Sequence, residues 1–327
     1  MLSHHAERML LRKPRSDAAV KIFNRNTHRE SEPTDCGARC LGENITYSLQ
    51  AGIFIPTPAV VHRDEEYDSR GFRLLREIQS RHFWYQGRHR FLLGALKLHL
   101  PAAFQTGDAL TAIDLGAGCG GWITFLQSRV PNRFAELALS DSSLRALELA
   151  GSVVGEDIAR YQTDLLRLDW RDRWDVAFLL DVLEHIPADT EVMLEIRQAL
   201  KPGGLLFVTT PALKWFWSYN DEIARHVRRY AKRDFARLAE ATGLHLLRAS
   251  YFMFFLSPLL WLRRLKRPDL SNMNKNEAFA LLERTHRVPV PPLNALMKLI
   301  LDLETPLGLW VPFPWGTSVL GVFQKPC

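Results

Sequence analysis

From Thr111 onward, short apolar runs alternate with amphipathic stretches at the spacing of a strand–helix repeat. Ala112 and Ile113 end a buried strand, and Trp122 to Ser128 reads as a helix stopped by Pro131. Phe134 to Leu139 is the next strand, closed by Ser140-Asp141-Ser142 and followed by a helix from Ser143 to Ala150. Ala159 to Thr163 is a short third strand. Trp174 to Asp181 is a continuous apolar run, as a parallel strand covered on both faces requires. A helix over Asp189 to Leu200, with Met193, Leu194 and Ile196 on one side, stops at Lys201-Pro-Gly-Gly204. Leu205 to Pro211 is strand five, Lys232 to Thr242 a helix ended by Gly243, and Leu244 to Tyr251 strand six. Ser318 to Lys325 closes the series. The pattern predicts an α/β fold, a doubly wound and mostly parallel sheet with helices on both faces.

The flanks read differently. Residues 1–60 lack sustained periodicity and read as a poorly structured tail, with Pro56 and Pro58 breaking the chain before a domain over 61–327. Glu65 to Arg81 is helix-compatible, with Phe72, Leu75 and Ile78 on one face. Between strands six and seven, residues 252–316 form an insertion too long for a hairpin loop. It opens with the apolar run Phe252 to Leu262, followed by Arg263, Arg264, Lys266 and Arg267. That juxtaposition suits an anionic membrane interface, or a buried helix with a solvated charged end. Leu293 to Leu303 reads as a further apolar helix, and Gly308 to Gly316 as a rigid aromatic turn.

Composition narrows the class. With 47% apolar and 24% charged residues in 327, the chain is globular in type. A net charge of +6 from scattered basic residues makes nucleic acid an unlikely partner and leaves an anionic membrane surface open. The four cysteines form no disulfide framework, and the polar N-terminus carries no secretory signal, so a cytoplasmic location is expected. No apolar run reaches the length of a membrane span. Cys36 and Cys40 are at most half of a zinc site, so no metal is expected. Oligomeric state is not legible.

The chemistry concentrates at strand ends. Asp114 precedes a loop with Gly116, Gly118, Gly120 and Gly121, where the backbone turns sharply and a ligand can approach closely. The spacing departs from the dinucleotide pattern, and Asp114 would repel a pyrophosphate. Asp141 lies where a ribose-binding carboxylate belongs, while it or Ser142 also serves as a helix cap. Asp164 can accept from an adenine amino group. Asp114, Asp141, Asp164 and Asp181 thus end four successive strands, a gathering of like charge that favours a cationic, polyhydroxylated ligand. Arg88, among the aromatics of His82 to Tyr85, can pair with a carboxylate. Trp215 to Tyr230 is aromatic and basic and reads as a lid. In it, Trp215, Arg228, Arg229 and Tyr230 are candidate acceptor contacts, although the arginines can instead pair with Asp221 and Glu222. His226 and His185 are the candidate bases, and His185 alternatively orders the loop after strand four.

Asp114-Leu-Gly-Ala-Gly-Cys-Gly120, the acids at 141 and 164, and Asp181-Val-Leu-Glu-His185 with Leu200-Lys-Pro-Gly-Gly204 resemble the ordered motifs of class I S-adenosylmethionine-dependent methyltransferases. The resemblance covers residues 80 to 250. It implies a Rossmann-like seven-stranded sheet with the last strand antiparallel, and S-adenosyl-L-methionine as cofactor. It also implies that the Gly116–Gly120 loop meets the methionine part, Asp141 the ribose, Asp164 and Leu165 the adenine, and Asp181 the methyl-transfer end. Phe83 to Arg88, His226 to Tyr230 and Pro312 to Ser318 resemble a bacterial subgroup, some members of which open with a zinc-ribbon-like pattern. Cys36 and Cys40 would be its remnant. The expected reaction is O-methyl transfer to a small-molecule or lipid-linked acceptor. The alternatives are a nicotinamide-dependent oxidoreductase and a non-catalytic, membrane-associated protein of the same fold.

Overall fold

The computed structural model describes residues 19–20, 45–100, 110–264, 268, 270 and 272–327. Its strands are β1 (Ala19–Val20), β2 (Thr46–Gln50), β3 (Ile53–Thr57), β4 (Leu110–Leu115), β5 (Phe134–Asp141), β6 (Ala159–Gln162), β7 (Trp174–Leu180), β8 (Leu200–Pro211), β9 (His245–Phe252) and β10 (Ser318–Gln324). They form one sheet in the order β1-β2-β3-β6-β5-β4-β7-β8-β10-β9. From β6 to β8 the strands run parallel, and β10 is antiparallel to both β8 and β9. The seven strands from β6 to β9 are the arrangement expected from the sequence.

Three strands extend that sheet, where an unstructured tail was expected. β2 and β3 are joined by Ala51-Gly52, both at positive φ, and β3 pairs parallel with β6. Tyr47 and Phe54 hold this hairpin against Tyr161 of β6, the Phe54 ring stacked at 4.8 Å. Ala-Gly is a weak turn signal, so the hairpin escaped the sequence pattern. Cys36 and Cys40 lie outside the described residues. Two boundaries also differ: strand β8 starts at Leu200, so Lys201 to Gly204 are extended, and Gly308 to Trp310 belong to a helix.

Side-chain alternation along the strands divides the core into two layers. Ala177 and Leu179 of β7 and Leu206 and Val208 of β8 face one layer, against Val192, Met193 and Ile196 of α5 (Asp189–Ala199) and Phe235 and Leu238 of α7 (Lys232–Thr242). Val176, Phe178, Leu205 and Phe207 face the other. There they meet Leu92 and Leu96 of α2 (Phe83–His99), Trp122 and Leu126 of α3 (Gly121–Arg129), and Met297 and Leu301 of α10 (Pro291–Trp310). Helix α1 (Gly71–Ile78) is shorter than predicted and closes over Cys119 and α4 (Leu144–Ala150). The lid segment contains α6 (Tyr219–Ile223), and α8 (Ser257–Arg264), α9 (Lys275–His286) and α10 lie between β9 and β10.

One buried carboxylate ties that insertion to the sheet. Glu304 of α10 is 2% exposed and accepts the N–H groups of Phe254 at 3.0 Å and Phe255 at 2.9 Å, just past β9. Burial raises its pKa, and these amide bonds oppose the rise. Replacing it leaves two buried donors unmet. Glu304→Ala is therefore expected to lower the unfolding free energy by about 2–3 kcal/mol in a urea titration, with an unchanged slope.

Candidate active site

The chain order reverses between β4 and β7, and the residues following those strands form a cavity of about 200 Å³. Its floor is the glycine loop. Gly116 and Gly118 line the cavity at φ +66° and +55°. At Gly118 the positive φ favours glycine, and a Cβ would lie 2.8 Å from Leu75 Cδ2, which would have to shift. Gly120 caps α3 at φ +74° and turns inward, where a Cβ would meet Val154 and Leu139; its neighbour Gly121 faces the cavity instead.

The second carboxylate braces this loop. Asp141 accepts from Gly118 N–H and from Ser143 N–H, each at 2.9 Å. Ser143, rather than Asp141 or Ser142, caps α4 through Ala146 N–H at 3.3 Å. Ser142 meets His62 Nδ1 at 2.8 Å. Asp164 is already engaged, because Arg63 donates to its Oδ2 at 2.6 Å and Leu166 N–H to its Oδ1 at 3.0 Å. Leu165 lines the cavity beside it. At the other end Asp181, held at φ +57°, pairs with the buried guanidinium of Arg88. That guanidinium lies over the rings of Trp84 and Tyr85, at 5.1 and 5.3 Å.

The charge balance of the cavity is unusual. Asp114 is 2% exposed, and burial pushes its pKa up to about 8; Asp141 adds to the rise and Arg88 opposes it. Burial also raises Asp141. Oδ1 of Asp114 and Oδ1 of Asp181 are both buried without a hydrogen-bond partner. Buried carboxylate oxygens of this kind require a donor or a cation. S-adenosylmethionine carries an ammonium, a sulfonium and two ribose hydroxyls, and this set of acceptors fits it.

His185 lines the cavity next to Asp181, with Nδ1 3.0 Å from the carbonyl of Glu66. Burial, with His226 adding, lowers its pKa to about 3. His226 stands behind it, outside the cavity lining, with ring centroids 4.7 Å apart. Its Nδ1 meets Asp221 Oδ1 at 2.9 Å. Glu184 is buried beside them, and one donor atom from each of Glu184, His185 and His226 falls within 4.8 Å of the others, a grouping the sequence reading did not identify.

The expected acceptor contacts need correction. Arg229 is spent on Asp221, by bonds of 2.7 and 3.0 Å, and on the carbonyl of Ala212. Arg228 binds Asp189 and the carbonyl of Pro187, each at 2.6 Å. Tyr230 is buried and donates to the same Asp189 at 3.0 Å. Trp215 is 59% exposed and packs on Phe216, away from the cavity. These four residues build the lid and do not line the site. Conversely, His62, Arg63, Tyr67, Gln79, Trp84 and Tyr85 line the cavity without having been predicted as site residues. Of these, only the aromatic cluster next to Arg88 left a trace in the sequence.

Residues 78–249 match a family model described as a methyltransferase domain. The chain belongs to the methyltransferase domain family. Its fold is that of the class I, S-adenosylmethionine-dependent members. Ubiquinone biosynthesis O-methyltransferases from Leptothrix cholodnii and Caulobacter vibrioides are each 28% identical, over 109 and 111 residues. Those matches take in 32% and 33% of this chain and 45% and 44% of the relatives, less than half of their length. Among solved structures, Haemonchus contortus phosphoethanolamine N-methyltransferase 2, in complex with S-adenosyl-L-methionine, is similar at a TM-score of 0.53 and 18% identity, covering 84% of this chain and 62% of that one. A chain of the Haloferax volcanii complex between the Trm112 methyltransferase activator and a methyltransferase gives 0.50 and 15%, covering 82% of this chain and all of that one. At these identities the structures establish the shared fold.

The raised pKa of Asp114 gives this methyltransferase domain a testable proton linkage. Below about pH 8 the empty site holds Asp114 protonated, and a bound cation favours its carboxylate. S-adenosylmethionine binding should release a proton, and affinity should rise with pH from about 6 to 7.5, by at most about tenfold per unit. Titration calorimetry in buffers of different ionisation heat measures this directly. Asp114→Asn should abolish both the proton release and the slope.

Proposed function

We propose that this protein transfers a methyl group from S-adenosylmethionine to an oxygen of a small-molecule or lipid-linked acceptor. The observation that carries the reading is the pair of unpartnered carboxylate oxygens, on Asp114 and Asp181, in a cavity floored by the glycine loop. The names of the curated relatives support oxygen as the acceptor atom. The nicotinamide alternative fits poorly, because the glycine spacing departs from the dinucleotide pattern.

The cofactor supplies a methyl group already activated by a sulfonium. The chain's own residues hold, orient and deprotonate. Asp114 would take the ammonium, Asp141 with Ser142 the ribose side, and Leu165 with Asp164 the adenine side. For Asp164, adenine would share a carboxylate already bound by Arg63. Arg88 fixes Asp181 at the reacting end, under the aromatic cover of Trp84 and Tyr85. Alignment of this kind is the main service an enzyme renders to an in-line displacement.

Proton removal falls to His226. His185 is held neutral by burial and is too weak a base for the task. His226 leans on Asp221, an arrangement that orients its imidazole. His185 lines the cavity in front of it, so a proton from the acceptor would reach His226 by way of the His185 ring.

A lipid-linked acceptor requires the protein to meet a membrane surface, and the choice between acceptor classes is direct to test. Labelled S-adenosylmethionine, added with the protein to a host-cell extract, should place label in the organic phase. Label confined to the aqueous phase would make the acceptor a soluble small molecule, and no label with cofactor bound would favour a catalytically silent member. His226→Ala is expected to lower kcat by about a hundredfold or more with cofactor affinity unchanged. Unchanged turnover across the pH range would remove the base assignment.

A further inference from the structure

Helix α10 has no polar outer face. Its exposed positions are all apolar, and Leu293, Leu296, Leu299, Leu303, Leu307 and Trp310 run along one side at spacings of three and four, 45–76% exposed. Its inner face, through Met297 and Leu301, is buried on α2 and the sheet. A surface helix of a globular protein carries charged residues on its outer face. Here the partly exposed charges of the helix, Lys298 and Asp302, pair with each other at 2.8 Å. Helix α8 repeats the pattern. Leu259, Trp261 and Leu262, with Phe255 just before them, are 43–56% exposed, while Leu256 and Leu260 pack into the same core layer as α10. Exposed apolar rows of this kind mark an interaction site.

We propose that this face docks on an anionic lipid bilayer, with α10 lying in the interfacial plane. The charge of the chain selects that occupant. Arg263, Arg264, Lys266 and Arg267 follow directly on the exposed residues of α8, and the whole chain carries +6. Basic residues adjoining apolar ones are the composition that anionic headgroups attract. Exposed Trp261 and Trp310 suit the headgroup level, where indole rings concentrate. Among the described residues no helix is long and apolar enough to cross a membrane, so the contact is peripheral.

Helix α10 packs directly on the helix that lines the site. Asn294 of α10 accepts the N–H of Phe83 at 3.0 Å, and a Cβ on Gly87 would lie 2.4 Å from Leu301. Trp84, Tyr85 and Arg88, in the first two turns of α2, line the cavity. A bilayer under α10 is thus one helix away from the reacting end. In purpose this inference rests on the lipid-linked reading of the acceptor; its physical basis is the surface alone.

The test uses the full chain and vesicles of phosphatidylcholine, with and without about one third phosphatidylglycerol. Flotation with the anionic vesicles is expected, weakened by high salt. The triple variant Leu299→Asn, Leu303→Asn, Leu307→Asn should lose vesicle affinity at least tenfold while binding S-adenosylmethionine as the unaltered chain does. Should the triple variant fail to fold, brominated lipids serve instead. They should quench tryptophan fluorescence of the unaltered chain, and Trp310→Phe should lose part of that quenching. Absent flotation and quenching, or flotation that the triple variant retains, would overturn the proposal. So would a dimer in sedimentation that the triple variant converts to monomer, since the occupant would then be a second copy. Vesicle binding without any binding of S-adenosylmethionine would overturn the methyl-transfer reading and leave the docking surface standing.

Discussion

The structure turns on the burial of Asp114. Its carboxyl sits between two apolar layers, close to Asp141, with Arg88 as the opposing cation. A carboxylate in that position is costly, and the chain responds by holding it protonated up to about pH 8. The linkage has a definite sign. The folded state binds a proton that the unfolded state loses near 3.8, so this group weakens folding as pH rises from there towards 8. Burial of Asp141 acts in the same direction. A sheet selected for stability alone would not gather acids at its carboxyl edge. Their presence is explained by a ligand that brings the missing positive charge.

The surrounding architecture is arranged to keep those acids in place. Asp141 is fixed by the amides of Gly118 and Ser143, so loop geometry and acceptor position are set together. Arg88 does double duty, neutralising Asp181 through contact and lowering the cost at Asp114 through its field. The lid behind Asp181 has its own centre in Asp221. Ser218, His226 and Arg229 all bond to that one carboxylate, and its pKa is driven far down despite its burial. That carboxylate thereby fixes the orientation of the His226 ring.

Much of this was legible in the sequence because strand ends and glycine spacings are local signals. The acids at 114, 141, 164 and 181 could be placed at one edge before any coordinates, since alternating strands and helices fix which end each loop occupies. The lid partners were not legible. Whether Arg228 faces a ligand or Asp189 depends on a contact across 39 positions, and composition alone does not choose between them. His62 and Arg63 were missed for the same reason, because they reach the cavity from a segment with no periodicity of its own, and Tyr67 because it lies ahead of the apolar face in a stretch read only as a helix. The β2–β3 hairpin was missed because its evidence lay in aromatic packing on Tyr161 rather than in a strong turn.

Helix α2 is where the two halves of the molecule meet. Its first two turns give Trp84, Tyr85 and Arg88 to the cavity, and its length gives the bed on which α10 lies. The contact is close: Gly87 and Gly94 of α2 leave room for Leu301 and Leu309 of α10, and a Cβ at either would lie within 2.5 Å of the opposing leucine. The two helices thus pack with no room for a side chain at either glycine, and Arg88, on the same helix α2, opposes by its charge the rise in the pKa of Asp114. The helix with the apolar outer face therefore rests directly on the helix that lines the cavity.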